Sequence, residues 1–245
     1  MVSIKELNER IKEFFSFSKQ EITSIIILML VMGFLFSFRD WGTEQLDLWF
    51  GLRNFAVVSI IFLISLLNRF AWQKVYALSE GYKAEFKIWW LGIGISIILT
   101  FITFGRVPAI LIGGMSVALM VRQRLGEFRY GFSYWNNALI SFWGLLGNLV
   151  LALLFAIGGY YLPQSYFFSK GMMINLLMGF YALFPLPQLD GLSMYFGSRT
   201  IYGISIFLVL LTSVLLLSRT AWGLIIALLL AIFISIGYWL TYSEK

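Results

Sequence analysis

The chain has 245 residues, of which 60% are hydrophobic, 18% aromatic and 12% charged. This charged fraction is about half that of an ordinary soluble domain, and the charges lie between long apolar blocks. The composition excludes a soluble globular protein and predicts an all-α polytopic membrane protein in contact with the lipid bilayer.

The sequence contains no histidine and no cysteine. Their absence excludes disulfides, thiolate nucleophiles, imidazole bases and zinc sites built on nitrogen or sulfur ligands, so we expect no cofactor. The net charge of +6 could indicate nucleic-acid binding. The cations stand singly beside apolar blocks rather than in a basic stripe, and we therefore predict no nucleic-acid partner.

Residues 1–21 are expected to form an amphipathic helix that lies at the membrane interface. Apolar residues recur at helical spacing, and charged residues occupy the other face. The mixture of acids and bases differs from a secretory signal, so the segment is expected to be retained. A solvated leader is the alternative. The apolar residues are Ile4, Leu7, Ile11, Phe14 and Phe15.

The rest of the chain, residues 22–245, reads as one transmembrane domain. A helix that crosses about 30 Å of hydrocarbon needs about 20 residues, and most of the apolar blocks approach or exceed this length. We predict a bundle of about six to eight transmembrane helices. The blocks are residues 22–37, 54–77, 88–104, 107–121, 138–162, 172–186, 201–217 and 221–241.

Block 107–121 is too irregular for an ordinary transmembrane helix because it is short and contains Pro108, Gly113 and Gly114. Such a stretch fits a re-entrant strand or hairpin whose backbone groups are satisfied inside the protein. We predict a small membrane-associated β-hairpin here, with residues 128–132 as the candidate partner strand.

The cation distribution predicts that both termini are cytoplasmic. If each of the eight blocks crosses the membrane once, 13 of the 18 Lys and Arg residues fall on the side of the N-terminus. The positive-inside rule assigns the side with more cations to the cytoplasm. The five on the other side are Arg39, Arg53, Arg106, Lys170 and Arg219.

Two polar groups stand out against the apolar background. Asp190 follows a helix break with two prolines, where an ionisable group near hydrocarbon is a functional-site candidate; a loop carboxylate at the headgroup level is the alternative. Arg69 and Gln73 lie one turn apart on one helix face, although snorkelling of Arg69 and Lys74 to the interface would also explain these cations. Asn148 and Asn175 are expected to hydrogen-bond neighbouring helices.

Three segments, in order, resemble the archaeal-type site-2 proteases, which are intramembrane zinc metalloproteases. Lys74-x-x-Ala77-x-x-x-Gly81-Tyr82-x-Ala84-Glu85-Phe86 resembles the stretch that follows or overlaps the family's His-Glu-x-x-His motif. Gly144-Leu145-Leu146-Gly147-Asn148 resembles its Gly-Pro-x-x-Asn motif. The third segment, from Asn175 through Phe184-Pro185-Leu186-Pro187-Gln188-Leu189-Asp190-Gly191, resembles the Pro-x-x-x-Leu-Asp-Gly segment that supplies the third zinc ligand. The resemblance covers roughly residues 50–200 and implies the family's membrane-associated hairpin.

The departures from the family decide the predicted function. His-Glu-x-x-His aligns with Arg69-Phe70-Ala71-Trp72-Gln73, so both histidine ligands and the glutamate base are missing. Asp190 alone remains of the implied ligand set, and a single carboxylate cannot hold zinc. We therefore expect a catalytically inactive pseudoprotease with vestigial active-site positions at Arg69, Phe70, Gln73, Asn148 and Asp190.

Two further expectations concern what the altered site does. The Arg69 guanidinium is expected to occupy the place of the metal and pair with Asp190, with Gln73 and Asn148 completing the hydrogen bonds. A transmembrane segment of another protein is expected to add a strand at Ala109, Ile110, Leu111 and Ile112. The alternatives are a residual metalloprotease with a non-standard site and a small transporter that uses Asp190 as its coupling carboxyl.

Overall fold

A computed structural model describes residues 4–42, 46–119, 133–230 and 232. The described chain is mostly helical, with one two-stranded antiparallel sheet. Its helices are α1 Ile4–Phe14, α2 Lys19–Ser37, α3 Leu48–Ser79, α4 Trp90–Ile102, α5 Tyr134–Tyr161, α6 Tyr166–Ala182, α7 Asp190–Gly197, α8 Arg199–Leu217 and α9 Ala221–Leu230. The strands are β1 Tyr82–Ile88 and β2 Gly113–Leu119.

Four of the described helices, α2, α3, α5 and α8, are long and apolar enough to cross a membrane. α4 and the described part of α9 are apolar but shorter. The prediction of a helical membrane protein with a small β-structure is confirmed at this level, and the count of six to eight crossings is not. The long helices carry exposed apolar side chains that fit contact with lipid. On α8 these are Ile204, Phe207, Leu210 and Val214.

The core is built around α3 and α5, which pack against each other and against α2, α6 and α8. Glycines allow the closest approaches. A Cβ atom at Gly144 of α5 would lie 2.5 Å from the Gln73 side chain, and one at Gly33 of α2 would lie 2.2 Å from the Ser59 hydroxyl of α3. A larger residue at Gly33 would therefore collide with Ser59, and one at Gly144 would displace the Gln73 side chain.

The predicted leader contains α1, which is amphipathic as expected. Leu7, Ile11 and Phe14 are half-buried, and the Arg10 guanidinium donates a hydrogen bond of 3.0 Å to the Leu78 carbonyl near the end of α3. α1 therefore lies beside the end of α3. The first long helix, α2, begins at Lys19, within the leader that was assigned to residues 1–21.

The sheet explains how block 107–121 is accommodated. β1 runs back from the end of α3, and its last residue, Ile88, pairs with Gly113 at the start of β2. The chain between the strands, which contains α4 and the irregular segment 103–112, therefore leaves the sheet and returns to it at the same end. We call residues 89–112 the excursion. The Ile112 carbonyl accepts a hydrogen bond from the Trp89 amide at 2.9 Å, which closes this excursion.

The partner of β2 differs from the sequence prediction. The strand that pairs with β2 is β1, which the sequence analysis did not identify as a strand. The candidate partner, residues 128–132, lies outside the described residues. Charged residues alternate with apolar ones along β1, and this pattern was available as a strand signal.

A buried ion pair joins the start of α2 to α3 and β1. The Lys74 ammonium lies 2.9 Å from the Glu21 carboxylate, and the same carboxylate accepts a 2.8 Å hydrogen bond from the Phe86 amide. The Glu21 carboxylate also accepts a hydrogen bond from the Ser18 amide. The Ser18 hydroxyl accepts one from the Glu21 amide, so Ser18 and Glu21 form a capping box. Three segments of the chain thus meet at one carboxylate.

Replacement of this carboxylate by an amide, Glu21→Gln, is expected to lower the free energy of unfolding by about 1–3 kcal/mol, because the buried Lys74 loses its counter-charge. Glu85→Gln is the matched control. Its partner Lys83 lies at the same 2.9 Å, but the two side chains are 43% and 51% exposed, and a loss of at most about 1 kcal/mol is expected. Denaturant unfolding in detergent micelles measures both, and equal losses would contradict the prediction.

Candidate functional site

The site centres on Asp190, the first residue of α7. Pro185 and Pro187 end the preceding helix, because neither can continue its hydrogen bonding, and α7 restarts the helix at Asp190. The carboxylate therefore lies in the first turn of a helix, where the helix dipole favours negative charge. Asp190 is only 2% exposed, so it is not a solvated loop carboxylate.

Arg69 and Gln73 of α3 both donate to the same oxygen of this carboxylate. The Arg69 Nη2 atom lies 2.5 Å from Asp190 Oδ2, and Gln73 Nε2 lies 2.8 Å from it. All three residues are at most 3% exposed. The predicted pairing of Arg69 with Asp190, supported by Gln73, is confirmed, and the snorkelling alternative for Arg69 is wrong.

Lys74 does not snorkel either, since it is buried in the pair with Glu21. The sequence analysis missed this second pair. The sequence Ser18-Lys19-Gln20-Glu21 does indicate a helix start, because a serine followed three residues later by glutamate, directly before an apolar run, is typical of a capping box. Nothing local, however, points from Glu21 to Lys74, 53 residues away.

Gly114 and Gly144 bring neighbouring elements close to the Arg69–Asp190 pair. A Cβ atom at Gly114 of β2 would lie 2.9 Å from Asp190 Oδ1 and 2.7 Å from the Gln188 carbonyl. Gly144 of α5 meets the Gln73 side chain from the other direction. The ion pair is therefore enclosed by α3, α5, α7 and β2, and both glycines provide room for it.

Asn148 does not take the predicted part in this site. Its side chain is fully buried, and neither amide atom has a hydrogen-bond partner among the described protein atoms. Gln73 instead reaches Asp190 across Gly144, which lies one turn before Asn148 on α5. The expectation that Asn148 completes the hydrogen bonds of the pair is thus wrong.

The other helix-embedded polar residues tie helices together. Asn175 Nδ2 donates to the Ser65 hydroxyl at 2.9 Å and thereby links α6 to α3. Asn68 Nδ2 of α3 donates to the Gly147 carbonyl of α5 at 2.8 Å. The expected interhelical role of Asn175 is confirmed, and the sequence analysis had not included Asn68.

Phe70 occupies the position at which the resemblance implies a glutamate base. Its ring stacks on Phe86 of β1 with 4.5 Å between ring centroids, and it is buried. Phe70 therefore fastens the sheet to α3 and has no group that could accept a proton.

The segment Ala109, Ile110, Leu111 and Ile112 is not a strand in the structure. All four residues are buried, between 1% and 6% exposed, and β2 begins only at Gly113. The amide of Leu111 is engaged with the Ser96 hydroxyl of α4. These four residues therefore offer no exposed strand edge to a client, since Ala109 and Leu111 pack with Trp89 and Leu189 and the other two lie in the main core.

The residues around Asp190 do not fit a zinc ion. Zinc takes thiolate, imidazole or carboxylate ligands, whereas Asp190 faces a guanidinium and an amide nitrogen that donate hydrogen bonds. Across the described ranges, no three His, Cys, Asp or Glu residues come together in a way that could hold a metal ion. The guanidinium supplies the positive charge at this point and ties α3 to the start of α7.

Comparison of the chain with protein-family models, with curated proteins and with solved structures finds no match in any of the three.

Proposed function

We propose that this chain is a catalytically inactive, site-2-protease-like integral membrane protein that binds a transmembrane segment of another membrane protein. The observation that carries the proposal is the buried Arg69–Asp190 pair. Arg69 and Gln73 stand at the two positions where the resemblance implies histidine ligands, and both side chains contact the one carboxylate that the resemblance retains.

The chemistry of this pair is the reason to propose binding without hydrolysis. A guanidinium donates hydrogen bonds but offers no coordination position for water. Phe70 supplies no carboxylate that could take a proton from water. The pair does supply a fixed tie between α3 and α7, and this tie preserves the arrangement of helices that a bound segment would meet.

The free edge of β2 is the proposed contact for the partner. Within the described part of the chain, β2 pairs on one side only, with β1. Ala118 near its end is exposed. An extended segment could add a third strand there through main-chain hydrogen bonds. The edge runs from Gly114, beside Asp190, toward the end of the hairpin.

The proposed orientation places both termini in the cytoplasm. The split of the cations supports it. The segment from Trp89 to Ile112 leaves the sheet and returns to it, and its two ends are joined by a hydrogen bond. Because this excursion makes no net crossing, the end of α3 and the start of α5 belong on the same side. Asp190 then lies toward the cytoplasmic side of the bilayer.

A photoreactive residue at Ala118 in native membranes is expected to give a discrete protein adduct, because Ala118 is an exposed residue of the proposed contact strand. The matched control is a photoreactive residue at Ile204, which is 48% exposed on α8 and is expected to react with lipid only. The captured partner should remain full length, with or without added zinc. Adducts with lipid alone at both positions would contradict partner binding, and zinc-dependent cleavage of the partner would contradict the inactive site.

A further inference from the structure

A second possible site lies at the end of α5 remote from Asp190. A cavity of about 270 Å³ opens between the end of α5, the start of α6, and the turn that joins α8 to α9. Its volume is close to the lower end of the range for ligand pockets, about 300–1,000 Å³. Its apolar lining includes Phe155, Tyr160, Phe168, Met172, Leu216 and Leu224.

The polar part of the cavity has one charge. Arg219 lines it together with Ser165 and Ser169, and the Arg219 Nη2 atom donates to the Ser169 hydroxyl at 3.2 Å. Among the described residues, no carboxylate forms an ion pair with Arg219. Lys170, the neighbouring cation on α6, is by contrast compensated by Asp40 at 2.6 Å.

Arg219 also has a backbone conformation that its side chain disfavours. Its φ angle is +50°, in the left-handed region that glycine or asparagine usually occupies after a helix. This conformation is disfavoured for a residue other than glycine, so the surrounding structure holds the Arg219 backbone in it. A single hydrogen bond between a guanidinium and a hydroxyl leaves most of the guanidinium donors available for another group.

We propose that this cavity binds an anionic phospholipid of the surrounding bilayer. One acyl chain occupies the aromatic cavity, and the phosphate is held by the Arg219 guanidinium, whose planar fork matches phosphate oxygens, with the Ser165 and Ser169 hydroxyls beside it. The uncompensated charge selects an anionic over a zwitterionic lipid. This inference does not depend on the proposed function, because the cavity and the Asp190 site share no residue.

Lipid retention measures the proposal directly. The full chain is placed in nanodiscs with equal amounts of phosphatidylglycerol and phosphatidylcholine, released, and analysed by native mass spectrometry. The wild type is expected to retain one lipid, with about a fivefold preference for the anionic one, as expected for one cation. Arg219→Gln is expected to abolish this preference. An unchanged preference in this variant overturns the proposal.

A cavity-filling variant tests the position of the acyl chain. A Cβ atom at Gly159 would meet only the Phe168 Cβ, at 3.7 Å, so Gly159→Leu fits the helix while its side chain enters the cavity. It is expected to lose retention of both lipids. Gly203→Leu, at a glycine of α8 with open space around it, is the matched control and should retain lipid as the wild type does. Normal retention by Gly159→Leu places the lipid elsewhere and overturns the proposal. Arg219→Gln changes an exposed side chain, so this variant is expected to fold. Its lipid preference therefore tests the proposal even if Gly159→Leu does not fold.

Discussion

The Arg69→Met variant is expected to lose about 3–5 kcal/mol of unfolding free energy, because it leaves the Asp190 carboxylate buried without its counter-charge. The lost pair joins residues that are 121 positions apart in sequence, so the loss also loosens α7 from α3. Denaturant unfolding in detergent micelles measures the change. Arg53→Met is the matched control, since Arg53 lies on the same helix but is exposed, and its expected loss is at most about 0.5 kcal/mol.

The double variant Arg69→Met, Asp190→Asn separates an unpaired charge from a general packing defect. It removes both charges, and the asparagine oxygen still accepts the hydrogen bond from Gln73. Replacing a buried pair by uncharged residues is often neutral, so the double variant should recover most of the stability lost by Arg69→Met. A double variant no more stable than the single one, or a single variant as stable as wild type, would show that the pair does not hold α7 in place.

The Arg69→His, Gln73→His variant is expected to convert the site into a zinc site. Side chains at positions 69 and 73 both reach Asp190 Oδ2, so two imidazoles there would converge with that carboxylate as a three-ligand set. Zinc binding at about micromolar concentration or tighter is expected for the variant, with one zinc per chain. Elemental analysis of purified protein and competition with a zinc-binding dye measure it, with wild type taking up none.

Two control variants make the zinc experiment specific. Ala71→His, Val75→His has the same spacing on another face of α3, and it should not bind zinc together with Asp190. Adding Asp190→Asn to the Arg69→His, Gln73→His variant should lower its affinity for zinc at least about tenfold. If the rebuilt pair takes up no zinc, or if its zinc does not depend on Asp190, the site-2-protease-like arrangement is not present. The addition of Phe70→Glu to a zinc-binding variant then tests whether proteolysis returns.

Much of the helical architecture could be predicted from the sequence, because length and apolarity decide whether a helix can cross a bilayer. Six apolar blocks correspond to helices whose ends lie within six residues of the predicted bounds, and the irregular block contains β2. The last block, 221–241, begins with α9, and its end lies outside the described residues. α7 was not predicted, since eight residues after a proline-rich break carry too little periodicity. β1 was missed because its seven residues lie between two strongly apolar helices.

The candidate site was partly predictable for a definite reason. Arg69 and Asp190 are expensive in a membrane unless they are paired, so the sequence restricted their partners to a few residues. Asn148 shows the limit of that argument, since an amide carries no charge and burial does not require one particular partner. Its side chain ended without a described partner, while Gln73 took the place beside the carboxylate.

By itself the sequence determined the membrane class, through its apolar blocks, and the absence of imidazole and thiolate chemistry, through its composition. It also indicated that Asp190 is protonated, solvated or paired with a cation, and it left open which of the three applies. Only the tertiary structure decided that Glu21 holds Lys74, that β1 pairs with β2, and that the segment from Ala109 to Ile112 is buried. All three features depend on which segments, far apart in sequence, come into contact. That choice is made by the packing of glycines and aromatic rings against neighbouring helices, and local propensity does not make it.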